Sequence, residues 1–356
     1  MCIRDRDSLD YTILDRLQLN PFNLARISRD IKIPYHIVRR RVNRLLREYR
    51  IVKLYAEPIY PKLGLSVVVF ILNKQIETDI DVTIGYGKSK TVLLGGKTML
   101  IHTIPKKFIR DLKKFIRILY GDDAIIFYKV YDGIVVGKKD FKLIDDEECF
   151  DRLYDDMPEM LTYEERLSPE RFCETDLFII KELQKDATIS ITDIARALGV
   201  SKQLIDYHLK RHVLARKLVE FNIIIFRDMR RYPMWLFLVD FNNTIESILF
   251  VNAISKVPLI SSIVFSDSSI MFFCSHMSIN LVLKLMQLLD SLLKRGIVIS
   301  YKYYVQDPSF IPIRYTIPYA LYQRGAWRRD SILSAVRKGR VELIQQLAST
   351  RDRIPR

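Results

Sequence analysis

Residues 33–49 read IPYHIVRRRVNRLLREY. At about 100° of helical rotation per residue, Val38, Val42, Leu45, Leu46 and Tyr49 fall on one apolar stripe, and His36, Arg40, Asn43, Arg44 and Arg47 fall opposite it. Arg39 and Arg41 flank the stripe. One side of such a helix holds it to its own domain, while guanidinium groups on the other can fork onto phosphates or guanine edges. Taken alone, a charged helical face is more often only a solvated surface. The sequence before it shifts that balance. Leu9, Ile13, Leu14 and Leu17 recur at helical spacing behind Ser8 and Asp10, both suited to cap a helix. Pro21 and Asn23 then punctuate the chain, residues 24–30 read as a short second helix, and Lys32, Ile33 and Pro34 impose a turn. Helix, helix, turn and basic helix is the helix-turn-helix order.

The same pattern returns further along the chain. Asp176, Ile179, Ile180, Leu183 and Gln184 repeat Asp10, Ile13, Leu14, Leu17 and Gln18 in order and spacing. After one extra residue in the turn, Ile194, Leu198, Val200, Leu204, Ile205, Leu209 and Leu218 match Ile27, Ile31, Ile33, Ile37, Val38, Val42 and Ile51. In this copy Ser190 and Asp193 form a capping box, and Gly199 sits where the turn needs a permissive backbone.

Strands and helices follow each copy. After the second, the spacing predicts strands at 234–241, 260–265, 270–275 and 298–305 and helices at 245–255 and 281–293, the βαββαβ order of a ferredoxin-like sandwich. After the first, strands are expected at 51–56, 66–72, 91–94, 99–104 and 124–130 and a helix at 106–119. The first crossover there, 77–90, holds Gly85 and Gly87 and has a poor helical pattern, so this sandwich reads as degenerate. The expected fold class is α+β: two winged-type helix-turn-helix domains alternating with two ferredoxin-like domains. The boundaries are 7–60 and 173–228 for the former, 61–135 and 229–307 for the latter, with an acidic connector at 136–172 and a basic C-terminal extension at 308–356. The acid-rich stretch 144–176 is expected to be solvated and partly helical, and residues 328–347 to form a basic helix.

Length and charge bound the function. A chain of 356 residues exceeds one ordinary core, and a net charge of +15 with pI near 9.5 favours a polyanionic partner. The longest apolar runs are too short to cross a bilayer and no secretory signal opens the chain, so a cytoplasmic location without membrane association is expected. Cys2, Cys149, Cys173 and Cys274 form no CxxC pair and are read as inert thiols in a reducing compartment. The opening MCIRDR resembles adaptor read-through, and no fold element is assigned to it.

Two stretches carry a family likeness: TDLFIIKELQKDATISITDIARALGVSKQLIDYHLKR at 175–211, and LDYTILDRLQ at 9–18 with VRRRVNRLLREYRIVKLYAEPIYPKLGL at 38–65. They resemble the Lrp/AsnC family of transcription regulators. That resemblance implies an N-terminal helix-turn-helix, a βαββαβ ligand-sensing domain, and a tandem duplicate of a protein that ordinarily dimerises through its sandwich. An internal pseudo-dimer or a homodimer is therefore expected. In the family a Gly and an Asp at the turn between the second and third strands help bind an amino-acid effector. The matching turns here are Gly95, Gly96 and Lys97, and Ser266, Asp267 and Ser268; neither keeps the full pattern, so no effector is assigned.

The expected partner is double-stranded DNA. Tyr35, His36, Arg39 and Arg40 are candidates for base contact and Arg41, Arg44 and Arg47 for phosphate, with Asn43 on the same face. The second head offers Ser201, Lys202, Gln203, Tyr207, Lys210 and Arg211. Arg39, Arg40 and Arg41 correspond to Asp206, Tyr207 and His208, and Leu45 to His212, so the heads are unequal and an asymmetric site dominated by the first is expected. His208 and His212 stand one helical turn apart, but HLKRH lacks the zincin glutamate and shows no third ligand; no metal and no cofactor are assigned. GGKT at 95–98 lacks the first glycine of a P-loop, and His102 and His276 lie in apolar strands without a nucleophile arrangement, so no enzyme is expected. The rival reading is an architectural or protein-docking factor with non-specific DNA binding. RNA binding ranks last, because the strands lack the aromatic and basic stacking signature of an RNA-recognition motif.

Overall fold

The computed structural model describes residues 8–48, 52–76, 86–144, 146, 148–155 and 168–329. Tyr49, Ile51, the opening six residues, residues 77–85 of the first crossover and the helix expected at 328–347 from residue 330 onward lie outside the described residues. The fold mixes helix and sheet and includes a winged helix-turn-helix.

The first head forms in the expected order: α1 (Ser8–Leu17), α2 (Leu24–Asp30), α3 (Tyr35–Asn43) and β1 (Val52–Pro58). Ile13, Leu14, Leu17, Val38, Val42 and Leu45 are buried together, because their 3- and 4-residue spacings put them on facing stripes. Asn23 caps α2 by accepting from Arg26 N at 2.9 Å. Asp10 is no cap: it lies inside α1, 1% exposed. Past Asn43, α3 widens into a π-helical turn at Arg44–Glu48.

The strands β2 (Ser66–Leu72), β3 (Gly87–Leu93), β4 (Lys97–Ile104) and β5 (Ile125–Tyr131), with α4 (Ile109–Tyr120), make the first sheet. All seven residues of β2, SVVVFIL, are buried, as an unbroken apolar run requires of a central strand covered on both faces. After β5 the chain continues into β6 (Gly133–Val135) and α5 (Cys149–Asp155), and then enters the second head: α6 (Glu174–Lys185), α7 (Ile191–Leu198), α8 (Lys202–His208) and β7 (Val219–Ile225). Here too a π-helical segment, Leu209–Leu214, extends the recognition helix. Ser190 caps α7 and Gly199 closes it at φ 73°, as its turn demands. Finally β8 (Trp235–Phe241), α9 (Thr244–Ile254), β9 (Ile263–Ser266), β10 (Ser269–Cys274), α10 (Ile279–Lys294) and β11 (Val298–Val305) follow in βαββαβ order, with β12 (Ile313–Arg314) beyond them.

The two sheets run β12-β3-β4-β2-β5 and β11-β8-β10-β9-β6. In each, the four local strands take the same order, and the fifth strand arrives from the other half of the chain. Periodicity could not reveal that exchange. β6 leaves the first sheet to pair with β9, Ile134 opposite Val264. Gly133 permits the approach, since a Cβ there would stand 2.2 Å from the Phe265 ring. In return β12 pairs with β3, Ile313 opposite Lys90.

The wings cross as well. β1 and β7 pair antiparallel with each other, and Tyr55 faces Asn222, its own counterpart in the repeat, so the register turns about a local two-fold. Asn222 Nδ2 donates to Tyr55 Oη at 3.2 Å. Two glutamines at matching repeat positions pin the returning chain to the heads: Gln18 exchanges two hydrogen bonds with the Lys139 backbone, at 2.6 and 2.8 Å, and Gln184 Oε1 accepts from Ile317 N at 2.7 Å. Lys139 itself is buried, donates its amine to Ser255 O at 2.9 Å, and is pushed down to about 7 by that burial.

One expectation needs correction. The acidic connector is not simply solvated: Phe141, Ile144, Cys149 and Phe150 are buried in the core, because its acidic residues are interleaved with apolar ones; α5 docks against α9 and α10, and the turn that holds Phe141 packs against α1. The C-terminal extension is packed structure as far as residue 329. Trp327 packs edge-on or tilted against Tyr86, Phe172 and Tyr322, and its Nε1 donates to Leu63 O at 2.8 Å.

Candidate nucleic-acid interface

On α3 the buried Val38 and Val42 turn Tyr35, His36, Arg39 and Arg40 to the outside. Arg47 is exposed in the following turn, and Asn43 is half-buried. These four leading residues share the N-terminal part of the helix, the part a helix-turn-helix inserts into the major groove.

Arg41 and Arg44 are placed differently from Arg47. Both reach back to α1, where Arg41 Nη1 lies 2.9 Å and Arg44 Nη2 3.3 Å from the carboxylate of buried Asp10. They clamp α3 and the turn after it to α1, with Asp10 supplying the counter-charge from the first turn of α1. Arg41 on the flank of the stripe and Arg44 opposite it signal this only if the partner carboxylate is known, and that partner is 31 residues from Arg41 and 34 from Arg44.

The second head offers a shorter and less basic surface. Ser201, Lys202, Gln203, Tyr207, Lys210 and Arg211 are all exposed, and Leu204 stands beside them at 40%. Ser201 caps the helix by accepting from Leu204 N at 3.2 Å. Lys210 is paired to Asp206 at 2.7 Å, an exposed pair that salt screens. Behind this face, buried Asp176 receives His208 Nδ1 at 2.8 Å and His212 Nδ1 at 3.2 Å, and Cys173 Sγ lies 3.7 Å from His208 Nδ1. The absence of a third partner for the two histidines is thereby corrected: tertiary packing brings Cys173 and Asp176 to them from the start of α6. Burial and the neighbouring Asp176 carboxylate push the Cys173 thiol up.

The effector-type turns join the second and third strands as expected. Gly95 and Gly96 adopt φ of 78° and 67°, and Asp267 adopts 47° while its carbonyl accepts from Ser247 Oγ. A further cationic surface lies on α4. A cleft of about 480 Å³ beside α4 is lined by Arg110, Lys113, Lys114, Arg117 and Arg329, with Asp111 held by Arg329 at 2.9 and 3.1 Å. The signal was present in KKFIRDLKKFIR at 106–117, whose cations share one face once Leu112, Phe115 and Ile116 are buried.

The family model described as winged helix-turn-helix DNA-binding matches residues 174–211. The chain therefore carries a DNA-binding winged helix-turn-helix domain. No curated protein sequence matches the chain. Among solved structures, it is similar to the crystal structure of the siroheme decarboxylase NirDL, with 13% identity, a TM-score of 0.49, and coverage of 95% of this chain and 99% of that one. A second crystal structure of that enzyme, in complex with an iron-uroporphyrin III analogue, is similar at 11% identity and a TM-score of 0.48, covering 94% of this chain and 98% of that one. The expectation that the chain is no enzyme is corrected here, since both of these similar structures are of an enzyme. No helix among the described residues is long and apolar enough to cross a membrane.

Proposed function

We propose that this protein is a sequence-specific, double-stranded DNA-binding transcription regulator of the Lrp/AsnC type. It is a tandem duplicate, with helix-turn-helix domains near 7–60 and 173–228 and ferredoxin-like domains near 61–135 and 229–307. The observation that carries the proposal is the pairing of the two wings, β1 with β7, behind two recognition helices that keep their N-terminal faces exposed. Joined wings hold both heads in one fixed relation within a single chain, the role that dimerisation plays for other helix-turn-helix proteins.

The heads read DNA unequally. Tyr35, His36, Arg39 and Arg40 contact bases and Arg47 phosphate, whereas the second head approaches with Ser201, Lys202, Gln203, Tyr207, Lys210 and Arg211. Because operator symmetry mirrors protein symmetry, the site is asymmetric. Selection of bound fragments from random double-stranded DNA tests this. An enriched, non-palindromic motif is expected, and replacing Arg39 and Arg40 by Ala should cost about 1–3 kcal/mol per base contact and relax one half of that motif. Salt-sensitive binding without any motif would overturn the proposal in favour of an architectural role.

A further inference from the structure

The two heads share a buried acid at the same place in the repeat but surround it with different chemistry. In the first, Asp10 meets two guanidiniums, Arg41 and Arg44. In the second, the position of Arg41 is taken by His208 and that of Leu45 by His212, and both imidazoles turn Nδ1 towards Asp176. Cys173, the N-cap residue of α6 and three residues before Asp176, brings its Sγ to the same point. The four donor atoms lie within 4.8 Å of one another.

We propose that Cys173, Asp176, His208 and His212 form a metal site suited to zinc. Thiolate, imidazole and carboxylate are the donors zinc takes in tetrahedral structural sites. With Zn–S of about 2.3 Å and Zn–N of about 2.0–2.1 Å, tetrahedral donors stand roughly 3.3–3.6 Å apart. The observed spacings bracket that range: 3.7 Å between Cys173 Sγ and His208 Nδ1, 3.2 Å between His212 Nδ1 and Asp176, and 2.8 Å between His208 Nδ1 and Asp176, the last having to open by roughly half an ångström to admit the ion. Charge balances too: a divalent ion against one thiolate, one carboxylate and two neutral imidazoles is neutral overall, which suits a carboxylate that is fully buried. Binding releases the Cys173 proton to solvent, and each imidazole, staying neutral, shifts its proton from Nδ1 to Nε2 so that Nδ1 can ligate.

The supports are rigid. Cys173 and Asp176 belong to the first turn of α6, with Cys173 N donating to Asp176 Oδ2 at 2.9 Å, and the Tyr207 ring packs edge-on against both imidazoles at 5.7 and 5.3 Å. The ion would tie the first helix of the head to its recognition helix, where the first head uses a permanent ion pair. Metal supply would then set the rigidity of one head and not the other.

The test uses the full chain, stripped with a chelator and titrated with Co²⁺ alone, then with Zn²⁺. One equivalent of Co²⁺ should bind with tetrahedral d–d bands and a thiolate-to-cobalt charge-transfer band, and Zn²⁺ should displace it. Cys173→Ser should abolish the charge-transfer band, His212→Gln should weaken affinity by at least about tenfold, and Cys274→Ser, buried in β10, should change neither. A charge-transfer band that survives Cys173→Ser, or wild-type affinity no higher than that of His212→Gln, overturns the proposal. Should a variant lose its far-UV circular dichroism, X-ray absorption of the zinc-loaded wild type decides: sulfur and nitrogen in the coordination shell support the site, and oxygen alone refutes it.

Discussion

His102 lies on β4 between Val68 of β2 and Gly87 of β3, 2% exposed, and neither ring nitrogen meets a hydrogen-bond partner among the described residues. Burial pushes its pKa down to about 4 from an ordinary value of about 6.5. Between these values the unfolded chain binds a proton that the folded sheet refuses. The contribution is therefore fully present above pH 6.5 and drains as pH falls, at about 1.4 kcal/mol per pH unit, reaching roughly 3 kcal/mol at pH 4. Replacing His102 by Leu, of similar volume, removes this drain and the unsatisfied imidazole together. Urea denaturation of both proteins from pH 7.5 to 4.5 should show the variant equal or more stable at neutral pH, by about 1–2 kcal/mol, and its advantage growing as pH falls. Carboxylates titrate in both proteins and cancel in the difference. A difference that stays flat with pH, or a wild-type His102 resonance titrating near 6.5, would refute the reasoning.

Five further substitutions probe the supports of the heads. Lys32 holds φ 55° at the position where the second head has Gly199 at 73°, so Lys32→Gly should raise the thermal midpoint, worth up to about 1 kcal/mol, while Gly199→Ala, which meets no atom within 4 Å, should lower it through backbone strain alone. Asp10→Asn should cost about 2 kcal/mol in urea denaturation, less than a fully buried pair because Arg41 and Arg44 side chains are 21% and 35% exposed; Arg44→Ala should likewise appear in stability rather than as a lost phosphate contact in the salt dependence of DNA binding. Gln18→Ala should cost about 1–3 kcal/mol, because the Lys139 N–H and carbonyl both lose their partner in a buried setting; equal stability of the variant would show that water replaces the amide.

What the amino-acid order determined by itself is local. Period-3.6 stripes placed both sets of helices, the capping at Ser190 and the permissive Gly199 bounded the second head, and the apolar run at 66–72 announced a central strand, since each signal is complete within one element's own residues. The exposed faces Tyr35 to Arg40 and Ser201 to Arg211 were legible for the same reason: they are what remains when a stripe is buried. Tertiary structure alone decided everything that depends on partners far along the chain. The exchange of β6 and β12 between sheets, the pairing of the wings through Tyr55 and Asn222, and the inward turn of Arg41 and Arg44 onto Asp10 carry no local period. The meeting of Cys173 and Asp176 with His208 and His212 is of the same kind, because the pairs come from two helices more than 30 residues apart that only packing sets side by side.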